Sequence, residues 1–262
     1  MESQPVSDAA KASRCILETR GLTKDFKGFT AVKDINLKVN EGTIHALIGP
    51  NGAGKTTFFN LLTKFLTPSA GTIHFDGHDI THRRPADIAQ RGVIRSFQIS
   101  AVFPHLSARE NVRIALQRQL GVSYQFWRPI KMLDQLNDKA DALLQEVGLK
   151  EFAETKAVEL AYGRKRALEI ATTIALEPKL MLLDEPTQGM SAEDVGTVTD
   201  LIGRVVKGRT IVMVEHNLNV VSSLADRITV LNRGEIVAEG DYEAVSTNPQ
   251  VMEAYMGTAH AD

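Results

Sequence analysis

The sequence predicts an α/β fold with a parallel sheet at its centre, an N-terminal antiparallel β subdomain and an inserted α-helical subdomain. Two apolar runs without alternation, Thr43–Ile48 and Leu180–Leu183, are typical of strands buried on both faces of a parallel sheet. The rest of residues 15–48 alternates as antiparallel strands do. Approximately residues 99–176 carry apolar side chains at helical spacing, so this stretch is expected to form the helical subdomain.

A phosphate-binding loop is predicted where the first apolar run ends. Gly49, four intervening residues and then Gly54-Lys55-Thr56 have the required spacing between a strand and a helix. Glycines let backbone N–H groups point at phosphate oxygens, and the start of the following helix adds its positive dipole end. The residues expected to bind the nucleotide are Gly49, Pro50, Asn51, Gly52, Ala53, Gly54, Lys55, Thr56 and Thr57. Lys55 is expected to reach the β- and γ-phosphates, and the Thr56 hydroxyl is expected to bind Mg²⁺. The alternative is a glycine turn followed by a chance Gly-Lys-Thr.

Two carboxylates follow the second apolar run. Asp184 and Glu185 would lie at the carboxyl end of a parallel strand, which is where ligands bind in open α/β sheets. Phosphoryl transfer assigns them different roles: Asp184 holds Mg²⁺, and Glu185 polarises the attacking water. The alternative is an acidic cap or turn after an ordinary strand.

Three single residues are ambiguous from the sequence alone. Phe26, in a predicted loop with Phe29, could stack on a flat ring or simply pack. Gln98 follows the predicted strand Val93–Phe97, and His216 follows the predicted strand Thr210–Glu215. Either side chain at a strand end also suits a surface or structural role.

The composition restricts the class of protein. The 262 residues are 43% hydrophobic and 24% charged, as in ordinary soluble globular proteins. A formal net charge of −2 gives no general attraction to nucleic acid or acidic membranes. The single cysteine, Cys15, excludes an internal disulfide. No run is long enough to span a bilayer, and residues 1–14 lack the apolar region of a signal peptide.

Boundaries follow from breaks in these patterns. Residues 1–14 and 258–262 are expected to be tails, with one domain over 15–257. A helix of roughly three turns should follow the phosphate loop and stop at Thr67-Pro68. Further helices are expected over Ala108–Gln119 and Pro129–Val147.

Together, these motifs resemble the ATP-binding subunit of ABC transporters over about residues 15–257. The resemblance implies that Phe26 stacks on adenine and that His216 contacts the γ-phosphate. It implies that Gln98 meets Mg²⁺ and the attacking water and heads the segment that touches the membrane subunit. The implied cofactors are ATP and Mg²⁺.

The family signature, usually Leu-Ser-Gly-Gly-Gln, falls on Leu160, Ala161, Tyr162, Gly163 and Arg164. In the family this signature contacts the ATP of a second, head-to-tail ATPase subunit, so Leu160–Gly163 are expected to bind nucleotide held by that partner. Ala161 replaces the serine, Arg164 replaces the glutamine, and Ser191 stands where many members carry aspartate. The lost serine hydroxyl favours a heterodimer with one competent site, with a homodimer as the alternative. Arg164 could compensate in part by placing positive charge near the same phosphate.

Finer features resemble the importers of branched-chain amino acids. They are Tyr162, Gly189-Met190-Ser191, the ending Glu253–Gly257, Arg95–Gln98 and the following Val102–Leu106. This branch implies an ATPase at the cytoplasmic face of the inner membrane, peripheral to it. Its implied partners are two membrane permease subunits, a second ABC ATPase subunit and, indirectly, a solute-binding protein, with no nucleic acid.

Two other functions compete with this interpretation. One is a soluble ABC-type ATPase acting on DNA or ribosomes, although a second ATPase half, a long coiled-coil insertion and a basic surface are all missing from the sequence. The other is an ATP-binding regulator with little hydrolysis, against which both Glu185 and His216 argue.

Overall fold

A computed structural model of the chain describes residues 14–96, 102–118, 130–205 and 208–256. The strands in this part are β1 Cys15–Phe26, β2 Phe29–Ile35, β3 Lys38–Asn40, β4 Ile44–Ile48, β5 Ala70–Phe75, β6 His78–Asp79, β7 Val93–Ser96, β8 Leu180–Asp184, β9 Thr210–Val214, β10 Arg227–Asn232 and β11 Glu235–Gly240. The α-helices are α1 Lys55–Leu62, α2 Pro85–Arg91, α3 Ala108–Leu116, α4 Asn137–Glu146, α5 Tyr162–Ile174, α6 Ala192–Val205, α7 Leu218–Leu224, α8 Tyr242–Ser246 and α9 Pro249–Met256.

The central sheet has six strands in the order β11-β10-β4-β9-β8-β7. All neighbours from β10 to β7 are parallel, and only β11 is antiparallel. Every residue of β4 and of β9 is buried, which explains why these strands read as continuous apolar runs. The carboxyl ends of β4, β8 and β9 therefore lie side by side at one edge, where the chain carries its polar motifs.

A second sheet, in which every described strand pair is antiparallel, forms the predicted N-terminal β subdomain. Its order is β2-β1-β5-β6, and β3 pairs with β1. Phe26 and Phe29 were expected in a loop, but they end β1 and begin β2 and lie opposite each other across a two-residue turn. Gly28 supplies the left-handed backbone that this tight turn favours, so the strands extend further than the sequence indicates.

The stretch predicted as the helical subdomain, approximately residues 99–176, contains α3, α4 and α5, and both α3 and α4 pack against α5. Two predicted helices are shorter than expected. Residues Ile130–Leu136 form a 3₁₀ segment before α4, and α3 ends at Leu116. Gly148 follows α4 with φ +74, as a glycine after a helix end should.

The first helix also ends early: α1 has eight residues rather than three turns. Lys64, two residues beyond it, adopts φ +64, and this left-handed conformation cannot continue an α-helix. The helix therefore ends at Leu62, five residues before Thr67.

Apolar clusters pack on both faces of the central sheet. One contains Phe58, Phe59 and Ile73, between this sheet and the antiparallel sheet. The other contains Leu144, Leu168 and Met213, between the sheet and the helical elements. Among the described residues, no helix is both long and apolar enough to cross a membrane.

Candidate nucleotide site

The phosphate loop is held against neighbouring backbone at two of its glycines. A side chain at Gly49, which has φ +147, would place Cβ 2.1 Å from the Leu231 carbonyl oxygen. A side chain at Gly54, with φ +102, would place Cβ 2.4 Å from the Ala31 carbonyl oxygen. Only glycine fits both the space and the backbone conformation at these positions. The hairpin of β10 and β11 supports the loop from behind, because Gly234 N–H donates to the Ala53 carbonyl at 3.0 Å.

Lys55 begins α1 and points back into the loop. Its ammonium is buried and donates to the carbonyl oxygens of Gly49 at 2.7 Å and Pro50 at 2.9 Å. Burial lowers the pKa of Lys55, and the nearby carboxylates of Glu185 and Asp184 partly oppose that shift. The cation is thus placed between the loop and the acid pair, where a bound polyphosphate would meet it. Thr56 is the next residue along α1 and is exposed.

Asp184 ends β8, and its carboxylate forms an ion pair with Arg95 of β7. Arg95 also donates to Asn60 Oδ1 on α1 at 2.7 Å, so it connects Asp184, the candidate metal ligand, to the first helix. The hydroxyl of Thr56 and the carboxylate of Asp184 are hard oxygen donors of the kind that Mg²⁺ prefers. These two residues therefore fit the expected metal chemistry.

Glu185 is held in an unusual conformation beside His216. Its backbone has φ +47, and its N–H donates to the Val214 carbonyl at 2.9 Å. A non-glycine residue in this region costs about 1–2 kcal/mol, so the surroundings impose the conformation. Glu185 Oε1 lies 2.7 Å from His216 Nε2, which pairs the candidate base with the candidate phosphate contact.

Glu215 is a functional candidate that the sequence interpretation missed. It directly follows β9 and is only 2% exposed. Its Oε1 accepts from the N–H and the hydroxyl of Thr187, and its Oε2 accepts from the N–H groups of His216 at 2.7 Å and Asn217 at 3.1 Å. The Glu215 carboxylate thus connects the backbone of His216 with Thr187, two residues after Glu185. The available signal was an acid placed in the last buried position of an apolar strand.

The start of α5 carries the predicted signature. Leu160 is buried, Ala161 is the N-cap without a side-chain hydrogen bond, and Tyr162 and Gly163 form the first turn. The Arg164 guanidinium stacks on Phe152, 4.0 Å from the ring centroid. Arg164 is therefore engaged with the helical subdomain, which weakens the idea that it supplies charge to the phosphate of a partner subunit.

The remaining predicted residues lie elsewhere. Phe26 is 41% exposed at the end of β1, and Lys24 Nζ lies 5.1 Å from its ring centroid. Gln98 lies outside the described residues. The structure thus brings Lys55, Asp184, Glu185 and His216 to one edge of the sheet, and the role of each predicted site residue stays a prediction.

Comparisons with known proteins settle the family. Residues 32–188 match the family model described as ABC transporter, and residues 235–261 match the model described as branched-chain amino acid ATP-binding cassette transporter. The chain belongs to the ABC transporter ATP-binding family.

Individual relatives agree with this assignment over nearly the whole chain. The high-affinity branched-chain amino acid transport ATP-binding protein BraF of Pseudomonas aeruginosa is 39% identical, covering 94% of this chain and 100% of the relative. The corresponding LivG protein of Escherichia coli K12 is 36% identical, with the same coverage of both chains. A crystal structure of an ATP-binding cassette of an ABC transporter in its ADP conformation has a TM-score of 0.81 at 29% identity, covering 94% of this chain and 100% of that one.

These findings confirm the predicted ABC family, the α/β phosphate-loop fold and the assignment as a transport ATPase. The alternative of an ABC-type ATPase acting on DNA or ribosomes is not favoured.

Proposed function

We propose that this chain is the ATP-hydrolysing subunit of an importer for branched-chain or related amino acids, bound to the cytoplasmic face of the inner membrane through two permease subunits. The observation that carries the hydrolytic part is the meeting of Lys55, Asp184, Glu185 and His216 at the carboxyl ends of β4, β8 and β9. The match of residues 235–261 to the branched-chain amino acid family, together with the names of the relatives, supports the solute class.

ATP with Mg²⁺ is the proposed substrate form. The phosphate loop and Lys55 would hold the β- and γ-phosphates, Phe26 would stack on adenine, and the oxygens of Thr56 and Asp184 would bind Mg²⁺ together with Gln98. Glu185 would polarise the attacking water, and His216, 2.7 Å from it, would orient that carboxylate and contact the γ-phosphate. Loss of a positioned base of this kind costs about 10² to 10⁴ in rate.

A second ATPase subunit is proposed to complete the site across a head-to-tail dimer. The start of α5, at Ala161–Gly163, would face the nucleotide bound by that partner. Because Ala161 offers no side-chain hydrogen bond, the partner's nucleotide site would be the weaker of the two. We therefore favour a heterodimer in which the site built on Lys55 and Glu185 does most of the hydrolysis.

An apolar groove provides a docking surface for the permeases. It has a volume of about 480 Å³ and lies between α2, β7, α3 and α5. Its lining includes Phe65, Ile88, Phe103, Ile114 and Leu176, and both phenylalanines are more than half exposed. Residues of β7 line the groove, and Gln98 follows β7 in the chain. The family resemblance implies that the segment beginning at Gln98 touches the membrane subunit. A solute-binding protein would act only through the permeases.

The proposal is tested in proteoliposomes by reconstituting the chain with the proposed permeases, second ATPase and solute-binding protein from the same organism. ATP turnover and uptake of labelled leucine are measured for the wild type and for Glu185→Gln, with a labelled sugar as the solute control. We expect Glu185→Gln to keep ATP binding and to lose about 10²-fold or more of both activities. Turnover of the variant within a factor of two of the wild type would refute the assignment of Glu185. Leucine uptake no higher than sugar uptake by the wild type would refute the solute class.

A further inference from the structure

Tyr162 makes a contact that the usual family signature has no side chain to make. It occupies the third signature position, where glycine is usual, and it is the first residue of α5. Its hydroxyl donates to the backbone carbonyl of Gln188 at 3.0 Å, across 26 residues of sequence. The bond joins the beginning of the signature helix to Pro186–Ser191, the segment that we call the post-acid loop because it follows Glu185.

Tyr162 lies beside the exposed part of the post-acid loop. Gln188 and Gly189 are exposed, and Gly189 has φ +75, with the Tyr162 hydroxyl 3.7 Å from the place a Cβ would take. At Gly163, a Cβ would lie 3.0 Å from Asp194 Oδ1, so α5 also begins in contact with the first turn of α6. The start of α5 therefore contacts both the exposed part of the post-acid loop and the beginning of α6.

Hydrogen bonds continue from this contact to the candidate catalytic pair. Gln188 N–H donates to the Glu185 carbonyl at 3.1 Å, and the Glu185 carboxylate lies 2.7 Å from His216 Nε2. Three consecutive hydrogen bonds thus connect the Tyr162 hydroxyl with His216. A displacement of the start of α5 would act on the backbone that carries Glu185 through these hydrogen bonds, because each one joins the next segment directly.

We propose that Tyr162 is a positioning residue that couples the two nucleotide sites of the ATPase dimer. It transmits engagement of the signature helix by the partner's nucleotide to Glu185 of its own chain. The inference rests on the proposed function, in which the start of α5 faces the nucleotide of the second subunit. It adds a physical link through which the signature of one chain acts on its own hydrolytic site.

The first test uses the isolated chain and needs no activity. Tyr162→Phe keeps the ring and removes only the hydroxyl, and Tyr242→Phe is the matched control, since Tyr242 is an exposed tyrosine that also begins a helix. Amide hydrogen exchange is measured at Gln188 and Met190, whose N–H groups are bonded within the loop segment. Loss of one neutral hydrogen bond should raise their exchange rates about 2- to 10-fold in Tyr162→Phe and leave them unchanged in Tyr242→Phe. Equal exchange in the wild type and both variants would overturn the link.

The second test uses the reconstituted transporter. Tyr162→Phe should lower kcat about 2- to 10-fold and move the Hill coefficient for ATP toward one, while the ATP dissociation constant of the isolated chain is unchanged. A melting temperature equal to that of Tyr242→Phe would exclude general destabilisation. Wild-type values of kcat and of the Hill coefficient in Tyr162→Phe would overturn the coupling. Absence of ATP turnover in the wild type would instead refute the proposed function, so the two failures are distinct.

Discussion

Replacing Glu215 with glutamine would disturb a buried carboxylate that four donors share. Glu215 accepts two hydrogen bonds from Thr187 and one each from the N–H groups of His216 and Asn217. A glutamine side chain has nearly the same shape but offers one oxygen and one NH₂ group. Either the two Thr187 donors or the N–H groups of His216 and Asn217 would therefore face the NH₂ group instead of an accepting oxygen.

The magnitude follows from the best arrangement available to glutamine. Its oxygen would face His216 and Asn217, and its NH₂ would donate to the Thr187 hydroxyl, which can rotate to accept. The Thr187 N–H would then lose its partner, and two bonds to a charged acceptor would become bonds to a neutral one. Hydrogen bonds to charged groups contribute about 1.5–3 kcal/mol and neutral ones about 0.5–1.5 kcal/mol. We expect Glu215→Gln to lower the free energy of unfolding by about 3 kcal/mol.

Urea unfolding at pH 7 measures this loss. Glu235→Gln is the control, because Glu235 forms an exposed ion pair with Lys33 and its replacement should cost less than about 1 kcal/mol. Turnover should fall in Glu215→Gln alone, since the Glu215 carboxylate holds the backbone of His216. If the two variants lose the same free energy of unfolding, the four-donor account of Glu215 is wrong.

Two further predictions concern Ala161 and His45. In the reconstituted transporter, Ala161→Ser should strengthen nucleotide binding at the partner's site by about 10-fold, because the serine hydroxyl regains a hydrogen bond to a charged group. Total ATP turnover should rise as a result. Unchanged turnover would show that the two sites are already equivalent. Burial lowers the pKa of His45 from 6.5 to about 4, so protonation favours the unfolded chain: its stability contribution is complete above pH 6.5 and is lost as the pH falls toward 4. The free energy of unfolding, measured in urea, should fall by about 2 kcal/mol between pH 7 and pH 5. In His45→Gln, whose amide can still bond to Thr229, the fall between the same two pH values should be clearly smaller.

The sequence predicted the parts of the fold whose pattern follows directly from burial. β4, β8 and β9 are buried almost completely, and that requirement alone produces the apolar runs from which they were identified. The phosphate loop could also be predicted from the sequence, because two of its positions accept only glycine. A Cβ atom at Gly49 or Gly54 would lie 2.1 or 2.4 Å from a neighbouring carbonyl oxygen. In both cases the physical constraint fixes residue types at set positions within one short stretch of chain.

Helix ends were predicted less well because single backbone conformations decide them. α1 stops before Lys64, which adopts φ +64, although nothing in the residue type lysine indicates a left-handed conformation. Phe26 and Phe29 were predicted to lie in a loop, but their pairing across the sheet extends both strands. Tertiary contacts outweighed local preference at these positions.

The residues that sequence reasoning missed or only partly understood share one property: each binds the main chain of a distant segment. Glu215 accepts from the backbone of Thr187, and Tyr162 donates to the backbone of Gln188. Any residue type presents the same backbone groups, so Thr187 and Gln188 gave no sign of these contacts. Both contacts act on the same post-acid loop, one from the residue that follows β9 and one from the first residue of α5. Glu185, held at φ +47 between the end of β8 and that loop, is thus next to a segment that both contacts hold in place. The sequence motif identifies Glu185 as the acid, whereas contacts with residues distant in sequence, such as His216, orient its carboxylate.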